Sequence, residues 1–235
     1  GNGQIGGKLE ASLSVLFPTF EQAGTVRCSV SLDTVMDLET GSGNSRVRLK
    51  SIDSKIASLS SLAFVLSVKD GVVGIDSVQN IQPFDIHSSW FPQSRTLTAS
   101  FVCDRLQPFR WIELKNTDAM IRKLNKSFVS GSVDVVWKPE SGLEYTVDLS
   151  SVLPTAFFGG GSIDCSLAGT GDSIDISSLF LQGLSGSAFL TGSYDLGNHI
   201  PEGYASINGL AFPGLPAVSA DVYVQGTADQ IELLL

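Results

Sequence analysis

Gly131-Ser132-Val133-Asp134-Val135-Val136-Trp137, a break at Pro139-Glu140-Ser141-Gly142, and then Leu143-Glu144-Tyr145-Thr146-Val147-Asp148-Leu149 set the reading of the whole chain. In the second run Leu143, Tyr145, Val147 and Leu149 share one parity, and Glu144, Thr146 and Asp148 share the other. Successive side chains of a strand point to opposite faces, so this segment is a strand with one dry and one wet side. Pro and Gly in the break supply the reversal between two such strands.

The same alternation extends outward. Upstream, residues 62–68 lead through Lys69-Asp70-Gly71 into residues 72–78, and Asp-Gly between two strand-like runs is a strong hairpin signal. Residues 97–102 form another run. From Gly159 onward the candidates are 163–167, 174–181, 187–194, 204–207, 218–224 and 231–235, punctuated by Gly where the chain turns. Their regular spacing without strong helices predicts a meandering sheet or a solenoid. The fold class is all-β, an elongated, curled antiparallel sheet, either in two parts, 1–130 and the more regular 131–235, or as one continuous domain. One short amphipathic helix is expected near 117–128. There Met120, Ile121, Leu124 and Phe128 recur on one face, Thr117 or Asp118 can cap the start, and Arg122, Lys123 and Lys126 lie outside. Ile52, Ile56, Leu59 and Leu62 fit either a helix or a Ser-rich strand.

Composition narrows the function. The chain has 235 residues, 15 Lys+Arg against 24 Asp+Glu and a net charge of -9, so it lacks the basic surface a nucleic acid needs. Charged residues are only 17% and mean hydropathy is +0.20, too apolar for disorder. Cys28, Cys103 and Cys165 are widely spaced and odd in number, so no short metal motif forms and at least one thiol is free. Residues 176–194 are uncharged, but their Gly and Ser/Thr content suits strands and turns better than a membrane helix. No leader is visible, and residues 229–235 stop within a strand-like run. The expectation is a piece of a longer protein.

No constellation points firmly to catalysis, and an enzyme is not expected. Gly1-Asn2-Gly3-Gln4-Ile5-Gly6 matches a phosphate-loop spacing, but no strand precedes it, and it reads as a Gly-rich turn. His87 and His199 are the only histidines, so there is no clustered zinc motif, and a Ser-His-Asp triad would have to be built around one of these two. Asp134, Asp148, Asp164 and Asp175 alternate with apolar residues and should line the solvent face. Trp90, Trp111 and Trp137 sit in apolar runs suited to core or groove packing. No cofactor or metal is expected.

The remaining anomaly is the apolar excess. A sheet that curls without closing leaves a trough lined by alternate residues, and acyl chains fit a trough without polar partners. By parity the lining candidates are Val133, Val135, Trp137, Leu143, Tyr145, Val147, Leu149, Ile163, Leu167, Ile174, Ile176, Leu179, Leu181, Val218, Val222, Val224, Ile231 and Leu233. The core of a closed sandwich would give the same pattern.

Residues 173–181, 184–195 and 203–209, with Gly192-Ser193-Tyr194-Asp195 and Gly203-Tyr204, resemble the strand repeats of TamB and its AsmA-like relatives. The resemblance is best over 131–235. It implies a β-taco, a folded-over sheet with a continuous greasy groove, in the periplasm of a double-membraned bacterium. It further implies anchoring of the full-length protein at the inner membrane, transport of phospholipid to the outer membrane, and an outer-membrane barrel-assembly partner. The competing expectations are a structural or adhesive β-solenoid, whose repeat should keep tighter register than this one, and a closed β-sandwich that binds glycan or protein.

Overall fold

The computed structural model describes residues 4–16, 25–37, 39–55, 57–78, 81–115, 126–154, 160–183, 186–210, 216–227 and 230–234. The chain divides into two compact units, Gly1–Cys103 with Gln107–Asn125, and Asp104–Leu106 with Lys126–Leu235.

Unit 1 is an open antiparallel meander of β1 (Gln4–Leu16), β2 (Thr25–Asp37), β3 (Ser42–Asp53), β4 (Ala57–Lys69), β5 (Val72–Ser77), β6 (Asp85–Phe91) and β7 (Thr96–Leu106), each hydrogen-bonded to the next. The turn between β4 and β5 places Asp70 at φ 52° and Gly71 at φ 77°, the pair of positive angles that lets a two-residue turn match strand twist. After β7 comes a single turn of helix, α1 (Pro108–Trp111), with Pro in its first turn where no intrahelical N–H is needed. The short β8 (Ile112–Leu114) then returns to pair with the start of β4. Trp111 packs edge-on against Phe84 with ring centroids 4.8 Å apart, and Phe84 leans on Phe101 at 5.2 Å.

Unit 2 continues the same rule with β9 (Phe128–Lys138), β10 (Gly142–Leu153), β11 (Gly161–Thr170), β12 (Ser173–Gly183), β13 (Gly186–Asp195), β14 (Ile200–Leu210), β15 (Val218–Thr227) and β16 (Gln230–Leu234). All pairings are antiparallel between consecutive strands. At the start of the unit, the Arg105 N–H donates to Ser130 Oγ at 2.8 Å, and the Arg105 guanidinium lies 5.1 Å from the centre of the Phe128 ring.

These curled sheets are single layers. The accessible surface is 15182 Å², whereas a compact monomer of this mass would expose about 10,000 Å² and two compact halves about 12,000 Å². Among the described residues the buried apolar side chains are only Ala63, Cys103, Leu153 and Leu210, and no large side chain is fully buried. A closed sandwich is therefore not formed, because it would bury the inner faces of both sheets. Nor is a parallel solenoid, because consecutive strands pair antiparallel.

Of three local expectations, one is decided between its two alternatives, one is overturned and one falls outside the described residues. Ile52 and Leu59 are register partners in the β3–β4 hairpin, not one helix face. The hairpin connection is closed by Ser54, whose N–H and hydroxyl both donate to the Ala57 carbonyl while its Oγ accepts from the Ala57 N–H. A chain reversal thus imitates helical spacing. The supposed Gly-rich turn at the N-terminus is strand from Gln4 onward, with Gly6 opposite Val35. The helix expected at 117–128 lies outside the described residues over 116–125, and Phe128 opens β9.

One side chain completes a backbone ladder. β5 reaches only to Phe64 on β4 and β8 only to Leu59; the Val78 N–H just past β5 donates to the Ala63 carbonyl at 3.0 Å, but neither strand reaches the Ala63 N–H. Gln82 does: its Oε1 accepts from the Ala63 N–H at 3.1 Å and its Nε2 donates to the Ala63 carbonyl at 3.0 Å. Both residues are buried, so an unpaired N–H here would keep its full desolvation cost. Gln82→Ala is expected to destabilise unit 1 by about 1–3 kcal/mol. Chemical denaturation checks the magnitude, and faster hydrogen exchange at the Ala63 amide checks the cause.

Candidate functional site

The register of unit 2 aligns the apolar parities of successive strands. Val135 pairs with Tyr145, Val133 with Val147, and Trp137 with Leu143. Val147 pairs with Leu167, Leu149 with Cys165, and Leu167 with Ile176. Ile163 pairs with Leu181 and Cys165 with Leu179; Ile174 stands opposite Tyr194, and Leu179 opposite Leu190. Ala205 pairs with Val222 and Gly203 with Val224, while Val218 pairs with Leu210. Leu233 is in register with Val224, and Ile231 with Gly226. Directly opposed residues in an antiparallel pair share a face, so the lining candidates form one apolar surface crossing the strands.

A bulge makes this possible. Ile174 and Ile176 have even parity but Leu179 and Leu181 odd, and an unbroken strand would place them on opposite faces. β12 slips register between Ile176 and Leu179, with Ser178 opposite Ser166 but Ile176 opposite Leu167. Ser177 is the extra residue that shifts the parity, and bulging it out of the ladder keeps the second apolar pair on the face of the first. The Thr191 hydroxyl donates to the Ile176 carbonyl at 3.0 Å beside the bulge.

None of the described lining candidates is buried, and Trp137, Leu143 and Val218 are exposed at 37%, 38% and 41%. Small residues interrupt the surface. A Cβ at Gly169 would fall 2.5 Å from Tyr145 Oη, so the Tyr145 ring occupies the place of the missing side chain. At Gly131 φ is 144° and a Cβ would meet the Asp148 carbonyl at 2.0 Å, so this position of β9 accepts only glycine.

The opposite face is polar and acidic. Asp134, Asp148, Asp164 and Asp175 all lie there, exposed. Asp221 accepts from Ser206 and from the Tyr204 hydroxyl, the latter at 2.8 Å, and these bonds hold its carboxyl below the usual carboxylate range. The Tyr204 and Tyr223 rings lean together, with centroids 4.8 Å apart and planes tilted by 39°. Phe180 and Phe189 are cross-strand partners on this face too, so it is not uniformly polar. Cys165 belongs to the apolar side; burial and then the nearby Asp148 charge push its thiol pKa up, which keeps it protonated and a poor nucleophile. No disulfide joins Cys28, Cys103 and Cys165.

Unit 1 repeats the arrangement. Leu32 pairs with Val47, Val47 with Phe64, Leu66 with Ile75, Val73 with Trp90 and Trp90 with Leu97, all on one face. The other face carries a row of register partners, Asp76, His87 and Ser100. His87 Nδ1 pairs with Asp76 Oδ1, but no hydrogen bond joins Ser100 to His87, and both members of the ion pair stand open to solvent. The nucleophile–base contact of a triad is missing from this row. His199 stays in its turn, facing the Tyr194 hydroxyl at 3.1 Å. Among the described residues no group of three or more His, Cys, Asp or Glu could hold a metal.

The sequence reading overlooked Val129, Leu153, Ala188, Leu190 and Ile207, which share the apolar face of unit 2, and the whole face of unit 1. Parity would have found Leu190 and Ile207 from their own strands. The Arg46-Val47-Arg48-Leu49-Lys50 alternation would have found β3.

No family model, curated protein or solved structure matches the chain.

Proposed function

We propose that the chain is a segment of a lipid-conducting groove, whose apolar face carries acyl chains while headgroups stay in water. One observation carries this reading. The apolar residues of successive strands join into one face that no second layer of described residues covers, in a chain with 43% hydrophobic residues. An uncovered apolar face of this extent calls for a partner, and alternating Val, Leu and Ile offer that partner no directional contact. Each methylene laid on such a face gains roughly 0.8 kcal/mol, and because the gain has no direction a long chain can slide as it is held. The reading assigns no chemical step to the protein.

The biological setting we propose follows from the resemblance of residues 131–235 to TamB-type repeats. The segment would work in the periplasm as part of an inner-membrane-anchored protein, passing phospholipid toward the outer membrane with a barrel-assembly protein as partner. Among the described residues no helix is long and apolar enough to cross a membrane.

The test is native mass spectrometry with lipid extraction on the chain purified without detergent. Co-purified phospholipid is the expected result. A lipid-free chain that also excludes an added fluorescent acyl chain would overturn the reading.

A further inference from the structure

The charge of the chain is not shared between its units. Unit 1 holds 12 basic and 11 acidic residues, while unit 2 holds 3 basic and 13 acidic, and from residue 139 to residue 235 there is no Lys or Arg at all. Among the described residues the apolar face of unit 2 carries no charged side chain, so a headgroup has to sit at the rims, where the strands turn.

The two rims differ. The connections β9–β10, β11–β12 and β13–β14 leave from one edge of the meander and carry Glu140, Asp172 and Asp195. Lys138, at the end of β9, is the only Lys or Arg beside them. Asp195 accepts from the backbone N–H of Asn198 at 2.8 Å and from its side chain at 3.0 Å, which lowers its pKa and keeps it ionised. The segments joining strands at the other edge, 154–160, 184–185 and 211–217, contain no charged residue.

We propose that the apolar face of unit 2 selects zwitterionic phospholipid over anionic phospholipid of the same acyl chains. The inference rests on the acyl-groove reading above and deepens it. A net negative headgroup meets carboxylates at one rim and a unit with 13 acidic against 3 basic residues throughout, Arg105 and Lys126 beside the start of β9 being the only Lys or Arg toward the other rim. A zwitterionic headgroup carries an ammonium that the acidic rim attracts. Unit 1, nearly neutral, gives no opposing bias. The discrimination is electrostatic at exposed sites, so salt must erase it.

The full chain is titrated with phosphatidylcholine and with phosphatidylglycerol, each bearing the same pyrene-labelled acyl chain. At about 10 mM salt, where the screening length is about 30 Å, the choline lipid should bind about tenfold tighter. At about 1 M, where it is about 3 Å, the ratio should fall to within about twofold. Glu140→Lys with Asp172→Lys, both at solvent-exposed turns, should narrow the low-salt ratio while leaving choline-lipid binding within about twofold of wild type. Equal binding of both lipids at low salt, or tighter binding of the glycerol lipid, would overturn the selectivity and leave the groove reading standing. Failure of both lipids to bind would overturn the groove reading and the selectivity with it.

Discussion

Leu181→Asp is expected to weaken acyl-chain binding about tenfold or more, while Gln182→Asp, one residue away, leaves it within about twofold of wild type. Leu181 sits within the apolar face of unit 2, between Ile163 on β11 and Ala188 on β13. A carboxylate there holds its water, and an alkyl chain lying across it forfeits contact over about two methylenes, or roughly 1.6 kcal/mol at about 0.8 kcal/mol each. That loss corresponds to somewhat more than tenfold in affinity. Gln182 is exposed and points to the other face, where acids already stand on neighbouring strands. The pair therefore introduces the same charge at nearly the same place in the chain on opposite sides of one layer. Leu181 is only half-buried, so the fold should survive, which far-UV circular dichroism and the thermal midpoint check directly. Equal losses in both variants would show that charge alone, not the face it lands on, weakens binding. That result would deny the face its role.

How much of this arrangement the residues announce depends on contrast between the two parities. In β10 every apolar residue from Leu143 to Leu149 is odd and the even ones are polar, so strand, face and partner parity are all visible. In β12 the parity changes partway, and only the paired slip of both neighbours reveals that Ile174 and Leu181 share a side. The helix-like spacing of Ile52, Leu59 and Leu62 misleads because a reversal at Ser54 brings residues seven apart into register. Whether the dry face is covered is a different kind of question. Val147 alternates identically whether a second sheet lies on it or nothing does, because burial depends on what arrives from elsewhere in the chain. The same holds for Gln82, a polar residue in a loop whose amide completes the ladder of a strand 19 positions away.

Deleting Ser177 and Ser178 together is expected to be the most damaging short deletion in unit 2, whereas deleting Ser177 alone should be nearly silent. Ser177 is exposed, so its hydroxyl holds no core together. Its contribution is to the count. With it, β12 offers Ile174 and Ile176 to one side of the bulge and Leu179 and Leu181 to the other, all on the apolar face. Without it the same four residues fall on one face by simple alternation, and no bulge is needed. Without both serines Leu179 follows Ile176 directly, and a one-residue slip sends a whole set of side chains across the sheet. Either the two isoleucines or the two leucines would move to the acidic side, bringing Asp175 or Gln182 onto the apolar one. These side chains are half-buried, so moving two of them costs roughly 2–4 kcal/mol, on a scale of about 1.5–3 kcal/mol for each one fully transferred. Exposing a carboxylate to the apolar face adds to that. The neighbours feel the error too, because Ile163 would lose Leu181 as its partner across β12, or Gly192 would lose Ile176. Urea denaturation of the double deletion, set beside the single one, measures the difference. A double deletion as stable as the single one would mean that β12 tolerates either register, and that the continuity of the apolar face is not what holds unit 2 in place.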